Sequence, residues 1–130
     1  MQSTELSGFF IKGNVCKGEA SVAIKELPWA EHPSFKGVHM KHLLSGQETA
    51  GLLSCHLVRI DPNCEIGNHI HDGKVEVHTV LAGGGGCELD GKWVPYEQGT
   101  ISIIPSAAPH KVMAGQSGLY LYAKFSPALV

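Results

Sequence analysis

The 130-residue chain lacks most features that would announce a partner. It has no excess of charge of either sign: 10 Lys plus Arg stand against 12 Asp plus Glu, a formal net charge of −2. Such a balance gives no electrostatic reason to bind nucleic acid or an anionic membrane, since both recruit a cationic surface. No apolar run approaches the roughly 20 residues that cross a bilayer. The opening residues, Met1-Gln2-Ser3-Thr4-Glu5, have neither the basic start nor the apolar core of a secretory signal, so a soluble cytoplasmic protein is expected. Cys16, Cys55, Cys64 and Cys87 include no pair at the close spacing of a zinc knuckle or redox motif, and free, mostly buried thiols are expected. There is no internal repeat, low-complexity tail, domain linker or long amphipathic helix. The length suits a single domain.

What is present reads as extended structure. Hydrophobic residues make up 43% and charged residues 17%, the balance of a folded domain rather than a disordered chain. Sixteen glycines and seven prolines punctuate short runs of Val, Ile, Leu and Tyr, a spacing that suggests an all-β sandwich or barrel. Residues 52–60 read as a strand ending at the turn cluster Asp61-Pro62-Asn63. Residues 68–71 form a short extended piece, Asp72-Gly73 a tight hairpin turn, and residues 75–82 the returning strand. The glycines at 83–86 are expected to break that strand. No helix start and no Lys-Ser/Thr follows them, so a turn is a better reading than a phosphate cradle. A second hairpin is expected at Asp90-Gly91, between residues 87–89 and 92–94. Residues 100–104, 109–113 and 119–125 complete the set. In the last, Leu119, Leu121, Ala123 and Phe125 alternate with Tyr120, Tyr122 and Lys124, as in a half-buried or interface strand. Residues 1–35 are expected to form an arm with an edge strand around residues 21–27, ahead of a barrel over 36–130.

Eight histidines in so short a chain are the anomaly. His69 and His71, two apart on a strand, share a face. A two-residue loop at Asp72-Gly73 would set His69 directly opposite Glu76 and His71 diagonal to it, with Cβ separations of roughly 5 and 7 Å. Both distances let the side chains converge on one ion. Two imidazoles and a carboxylate form an incomplete metal site, and His110 is the best candidate for a fourth ligand. His78 shares the face of Glu76 one layer along, which suggests a contact behind the ligands or with substrate. His32, His39, His42 and His56 are assigned ordinary surface or core roles.

These residues carry a family resemblance. Asn63, five residues, His69-Ile70-His71, four residues, Glu76, six residues and Gly83 resemble the first motif of the cupin superfamily, in which a glycine stands at the position of Asn63. Asn tolerates the left-handed backbone such a turn needs. Gly99, five residues, Pro105-Ser106-Ala107, two residues, His110, three residues and Ala114 resemble the second motif. There Ala107 replaces a glycine and Ala114 an asparagine. The resemblance implies an all-β fold, a small single-domain antiparallel jelly-roll β-barrel of the RmlC-like type. It also implies a metal at the barrel mouth, with His69, His71, Glu76 and His110 as ligands, and a homodimer. Tyr120 and Tyr122 could contact substrate or pack at such an interface.

Imidazoles suit Fe, Zn, Ni and Cu, and the carboxylate extends the set to Mn, so one divalent ion of these is the expected cofactor. Four protein ligands on an octahedral ion leave two positions for water or substrate, as Lewis-acid catalysis or dioxygen binding requires. The leading expectation is a metal-dependent enzyme acting on a small molecule, dioxygenase-like, with isomerase or lyase chemistry as variants and His78 as a proton shuttle. A non-enzymatic metal or ligand sensor is the alternative. Trp29 and Lys36-Gly37-Val38 loosely resemble a segment of the cupin domains of zinc-binding anti-sigma proteins. A sugar isomerase or epimerase is a third, weaker option, because such cupins often lack the full ligand set.

Overall fold

The computed structural model describes Gly8 and residues 10–130. Among the described residues ten strands follow one another: β1 (Asn14–Lys17), β2 (Ala20–Ala23), β3 (Ala30–Glu31), β4 (Val38–Leu44), β5 (Ser54–Ile60), β6 (Glu65–His69), β7 (Val75–Leu89), β8 (Lys92–Tyr96), β9 (Ile101–Ile104) and β10 (His110–Ser126). A 3-10 turn at Ile24–Glu26 separates β2 from β3. Among the described residues no helix is long and apolar enough to cross a membrane. The architecture is an all-β antiparallel jelly roll.

Two long strands organise it. The 15-residue β7 and the 17-residue β10 pair antiparallel along nearly their whole lengths. The first half of β10 also pairs β6, and its second half pairs β5. The first half of β7 also pairs β9, and its second half pairs β8. Each strand therefore belongs to both walls of the barrel. The register shifts between Ala114 and Leu119 at the crossing, which is where a bent ladder accommodates extra residues.

This corrects the expectation that residues 83–86 end a strand. β7 runs straight through its glycines, and residues 110–113 and 119–125 belong to one strand rather than two. The reason is a close backbone approach. A Cβ on Gly85 would overlap the Met113 carbonyl oxygen, and Gly83 lies against the Gly118 carbonyl with φ +75°. Glycine is what lets the two strands touch there. The Asp90-Gly91 hairpin forms as expected. Leu89 pairs Lys92, and both loop residues take positive φ, the signature of a type I′ turn.

Alternation divides the apolar residues between two cores. Inside the barrel, Val58 and Ile60 of β5 pack with Val38, Val80, Val112, Leu119 and Leu121. On the opposite face of the same strands, Cys55 and Leu57 join Leu43, Leu81, Val15 and Ile24. β5 is thus covered on both sides, which is why its sequence is almost continuously apolar. The outer cover is the chain's own N-terminal arm. Phe10 packs on Tyr122 (ring centroids 5.0 Å apart) and Trp29 on Tyr120 (6.0 Å). Lys41, itself buried, donates from Nζ to the Ile24 carbonyl at 2.9 Å and lies over the Trp29 ring. Each buried aliphatic side chain in this second core contributes on the order of 1.5–3 kcal/mol. Cys55 and Cys87 are buried, Cys64 is half-buried and Cys16 is exposed, all as free thiols.

Residues 127–130 fold back over the barrel mouth. Leu129 N donates to Ser54 Oγ (2.8 Å), Ala128 N to the Gly51 carbonyl (3.0 Å) and Lys74 Nζ to the Ala128 carbonyl (2.9 Å). The Leu129 side chain packs against the inner core.

Candidate metal centre

The site lies where β6, the 70–74 turn, β7 and β10 begin or end. His69 closes β6 and His110 opens β10, and the two are register partners. Glu76 and His78 point inward from the start of β7, opposite Phe125 and Ala123 of β10. His71 stands in the turn, which Lys74 N closes onto the His71 carbonyl (3.4 Å).

The expected pairing of His69 with Glu76 across a hairpin does not occur. β6 pairs β10, whereas β7 pairs β10, β8 and β9, so β6 and β7 are not ladder neighbours. Both are tied to β10 instead, His69 through its first residue, His110, and Glu76 through Phe125 near its far end, and across the barrel interior Glu76 still reaches His110.

One ring nitrogen from each of His69, His71 and His110 lies within 4.8 Å of the others. Their ring centroids are 4.1 Å (His69–His110), 4.8 Å (His69–His71) and 5.4 Å (His71–His110) apart. Glu76 Oε1 sits 3.3 Å from His110 Nε2 and 3.7 Å from His71 Nε2. Glu76 Oε1 and His110 Nε2 are both buried, and neither has a hydrogen-bond partner. Burying two unpaired polar atoms face to face is costly unless something between them satisfies both.

The surroundings set the tautomers. His69 Nδ1–H donates to the Gly67 carbonyl (2.7 Å) and His110 Nδ1–H to the Ala108 carbonyl (2.9 Å). In the neutral ring each Nε2 then keeps a lone pair directed into the cluster, the usual arrangement behind a metal-ligating imidazole. Behind Glu76, His78 Nε2–H donates to Oε2 (2.7 Å), and His78 Nδ1 accepts the Tyr96 hydroxyl proton (2.9 Å). Both His78 nitrogens are thereby engaged, and only Oε1 of the carboxylate faces the histidines.

Proton affinities follow from burial and charge. Burial lowers the pKa of His69 and His71, keeping them neutral. Burial alone would raise the Glu76 carboxyl, but the His78 and His110 imidazoles outweigh it and hold Glu76 well below the usual carboxylate range. For His110 burial lowers the pKa, yet the facing Glu76 carboxylate and the Ala108 carbonyl raise it on balance. The Glu76 carboxylate beside the three imidazoles gives the pocket the charge that a cation would need. The donor set of three imidazole nitrogens and one carboxylate oxygen fits a divalent transition metal.

Above the cluster a cavity of about 70 Å³ opens toward the mouth. Its wall is mostly apolar, from Met40, Val58, Ile66, Leu121, Phe125 and Leu129, and it also includes His32. Sequence reasoning gave His32 no site role. It lies far from both motifs, and only the return of the 30–38 segment over the mouth brings it there.

The same residues carry the likeness to known proteins. A family model described as a cupin domain matches residues 56–118, which contain all four clustered side chains. The chain belongs to the cupin superfamily. A structure described as a predicted oxalate decarboxylase from Thermotoga maritima superposes on this cupin with a TM-score of 0.74 at 24% identity, over 80% of this chain and 96% of the other. An RmlC-like cupin from Shewanella frigidimarina gives 0.69 at 21% identity, over 81% and 87%. At these identities the two structures establish the shared fold. In sequence, the cupin is 29% identical over 76 residues to an oxalate-binding protein of Thermotoga maritima. That match spans 58% of this chain and 63% of the relative, less than two thirds of its length.

Proposed function

We propose that this cupin holds one divalent metal ion on His69, His71, Glu76 and His110 and uses it to bind a small oxygen-donor ligand in the cavity above. The reading rests on the facing, unpaired pair of Glu76 Oε1 and His110 Nε2, buried among imidazoles whose other nitrogens are tied to carbonyls. When bound, such an ion would supply Lewis-acid polarisation of the ligand's oxygens and, if redox-active like iron or manganese, a relay for electrons from the organic substrate to dioxygen in a dioxygenase-type oxidation. The protein's own part is positioning. Carbonyls at Gly67 and Ala108 aim two imidazoles, and His78 with Tyr96 turns one Glu76 oxygen into the cluster. The apolar wall excludes bulk water. The oxalate-binding and oxalate decarboxylase descriptions of the Thermotoga maritima proteins support a small carboxylate or other chelating oxygen compound as the ligand class.

Metal analysis tests this directly. After loading with Fe, Mn, Co or Zn and desalting, the wild-type protein should retain about one ion per chain. The His71→Ala and Glu76→Gln variants should retain far less under the same treatment. Retention by the variants equal to wild type overturns the ligand assignment. With the iron-loaded protein, oxygen uptake over a panel of small diketones, catechols and thiols tests the dioxygenase form of the proposal.

A further inference from the structure

The cavity wall has a charge pattern that narrows the ligand. This step rests on the metal reading above. A divalent ion beside the Glu76 carboxylate and neutral imidazoles leaves one net positive charge. A monoanionic ligand cancels it. A dianion leaves a negative charge among Met40, Ile66, Leu121 and Leu129, where an unpaired charge is strongly disfavoured. Among the described residues no lysine or arginine lines the cavity. Lys41 donates to the Ile24 carbonyl on the outer face, and Arg59 lies over Trp29 and beside Asp61. Lys74, near enough to His71 to act on it, is tied at the mouth to the Ala128 carbonyl and does not line the wall.

Outside the cluster the wall has two polar side chains: His78, whose nitrogens are both engaged by Glu76 and Tyr96, and His32, which is neutral. His32 Nδ1 accepts from Ser34 N (3.1 Å), which puts the ring proton on Nε2. Burial lowers the pKa of His32, so the ring stays neutral. Its orientation is fixed by Phe35, whose ring centroid lies 4.7 Å away. Phe35 in turn packs against Gly67, where a Cβ would meet its ring at 2.9 Å. The segment carrying His32 is thus locked onto the strand that ends in His69.

We infer that the cavity selects a small chelator with an apolar tail over one that carries a second carboxylate on its tail, and that His32 Nε2–H is a positioning donor to the ligand's oxygens. A matched pair of probes separates the tail from the chelating head. 2-Oxopentanoate and 2-oxoglutarate share the 2-oxo acid head and differ in an apolar or anionic tail.

Cobalt(II)-loaded protein should be titrated with each, read by the visible spectrum of the ion and by calorimetry. 2-Oxopentanoate should bind at least tenfold more tightly. Met40→Lys, which places an ammonium in the wall, should move the ratio at least tenfold toward 2-oxoglutarate. His32→Phe should weaken both probes similarly without changing their ratio. Equal or tighter binding of 2-oxoglutarate to the wild-type protein overturns the inference while leaving the metal site standing. Failure to take up cobalt, seen before any probe is added, refutes the metal reading instead.

Discussion

The histidine pair on β4 and β5, exposed His42 and buried His56, yields a prediction about stability that is independent of any metal. His56 is fully buried inside the barrel, edge-on to Phe125 (5.6 Å). Its Nδ1 shares a hydrogen bond with His42 Nδ1 (2.8 Å), and its Nε2 lies 2.8 Å from Ser54 Oγ. The groups facing it from neighbouring elements are His42 on β4 and Glu76 on β7. Burial, and secondarily repulsion from His42, lower the His56 pKa from 6.5 to about 4, even though the Glu76 carboxylate pulls the other way. An unfolded chain binds that proton near pH 6.5 and the folded one only near pH 4. In this window the unfolded state holds more protons, so stability rises with pH and is lost as pH falls. At about 1.4 kcal/mol per pH unit, the full difference comes to about 3 kcal/mol, of which about 2 kcal/mol is lost by pH 5. Urea unfolding of metal-free wild type and His56→Gln, each at pH 7.5 and pH 5, isolates the effect. The cluster histidines titrate in both proteins and cancel in the difference. Wild type should lose about 2 kcal/mol more than the variant. Parallel losses in the two proteins, or a His56 ring proton resonance that titrates near pH 6.5, would refute the reasoning.

Three further outcomes follow from particular positions. Gly85→Ala would drive a Cβ into the Met113 carbonyl, backbone against backbone, and should cost at least about 2 kcal/mol in urea unfolding. Ala107 holds φ +63° at an exposed turn where its side chain gains nothing, so Ala107→Gly should stabilise by roughly 0.5–1 kcal/mol, seen as a higher unfolding midpoint. His78→Phe removes the hydrogen bond that orients Glu76 and should weaken metal binding about 10–100-fold in competition with a chelating dye, with the ligands themselves intact.

Much of the fold could be read from local pattern. Alternation in residues 119–125 separated the two faces of β10 correctly, because a strand's period of two leaves no freedom once one face is buried. Asp90-Gly91 specified its own hairpin through the positive φ both residues tolerate. Asn63 adopts φ +60° where the motif has glycine, and Ala107 is left-handed in the same way, so both turns survive their substitutions. Motif spacing picked out His69, His71 and His110, whose ring nitrogens converge, although the hairpin pairing of His69 with Glu76 offered to explain it does not form.

Tertiary structure decided everything that depends on which distant strands meet. The 83–86 glycines looked like a break because local reasoning sees flexibility, whereas the fold uses them for the contact with Met113 and Gly118. Tyr120 and Tyr122, open to substrate contact or interface packing from sequence, lie on the outer face under the N-terminal arm, whose docking depends on Trp29, Phe10 and the Lys41 bond to Ile24. His32 reached the cavity only through the packing of Phe35 on Gly67. The chain's spacing of turn residues and histidines sets local geometry, which is short-ranged and readable. Partner choice between strands is set by the burial of both faces of β5 and β10, a property of the whole assembled barrel.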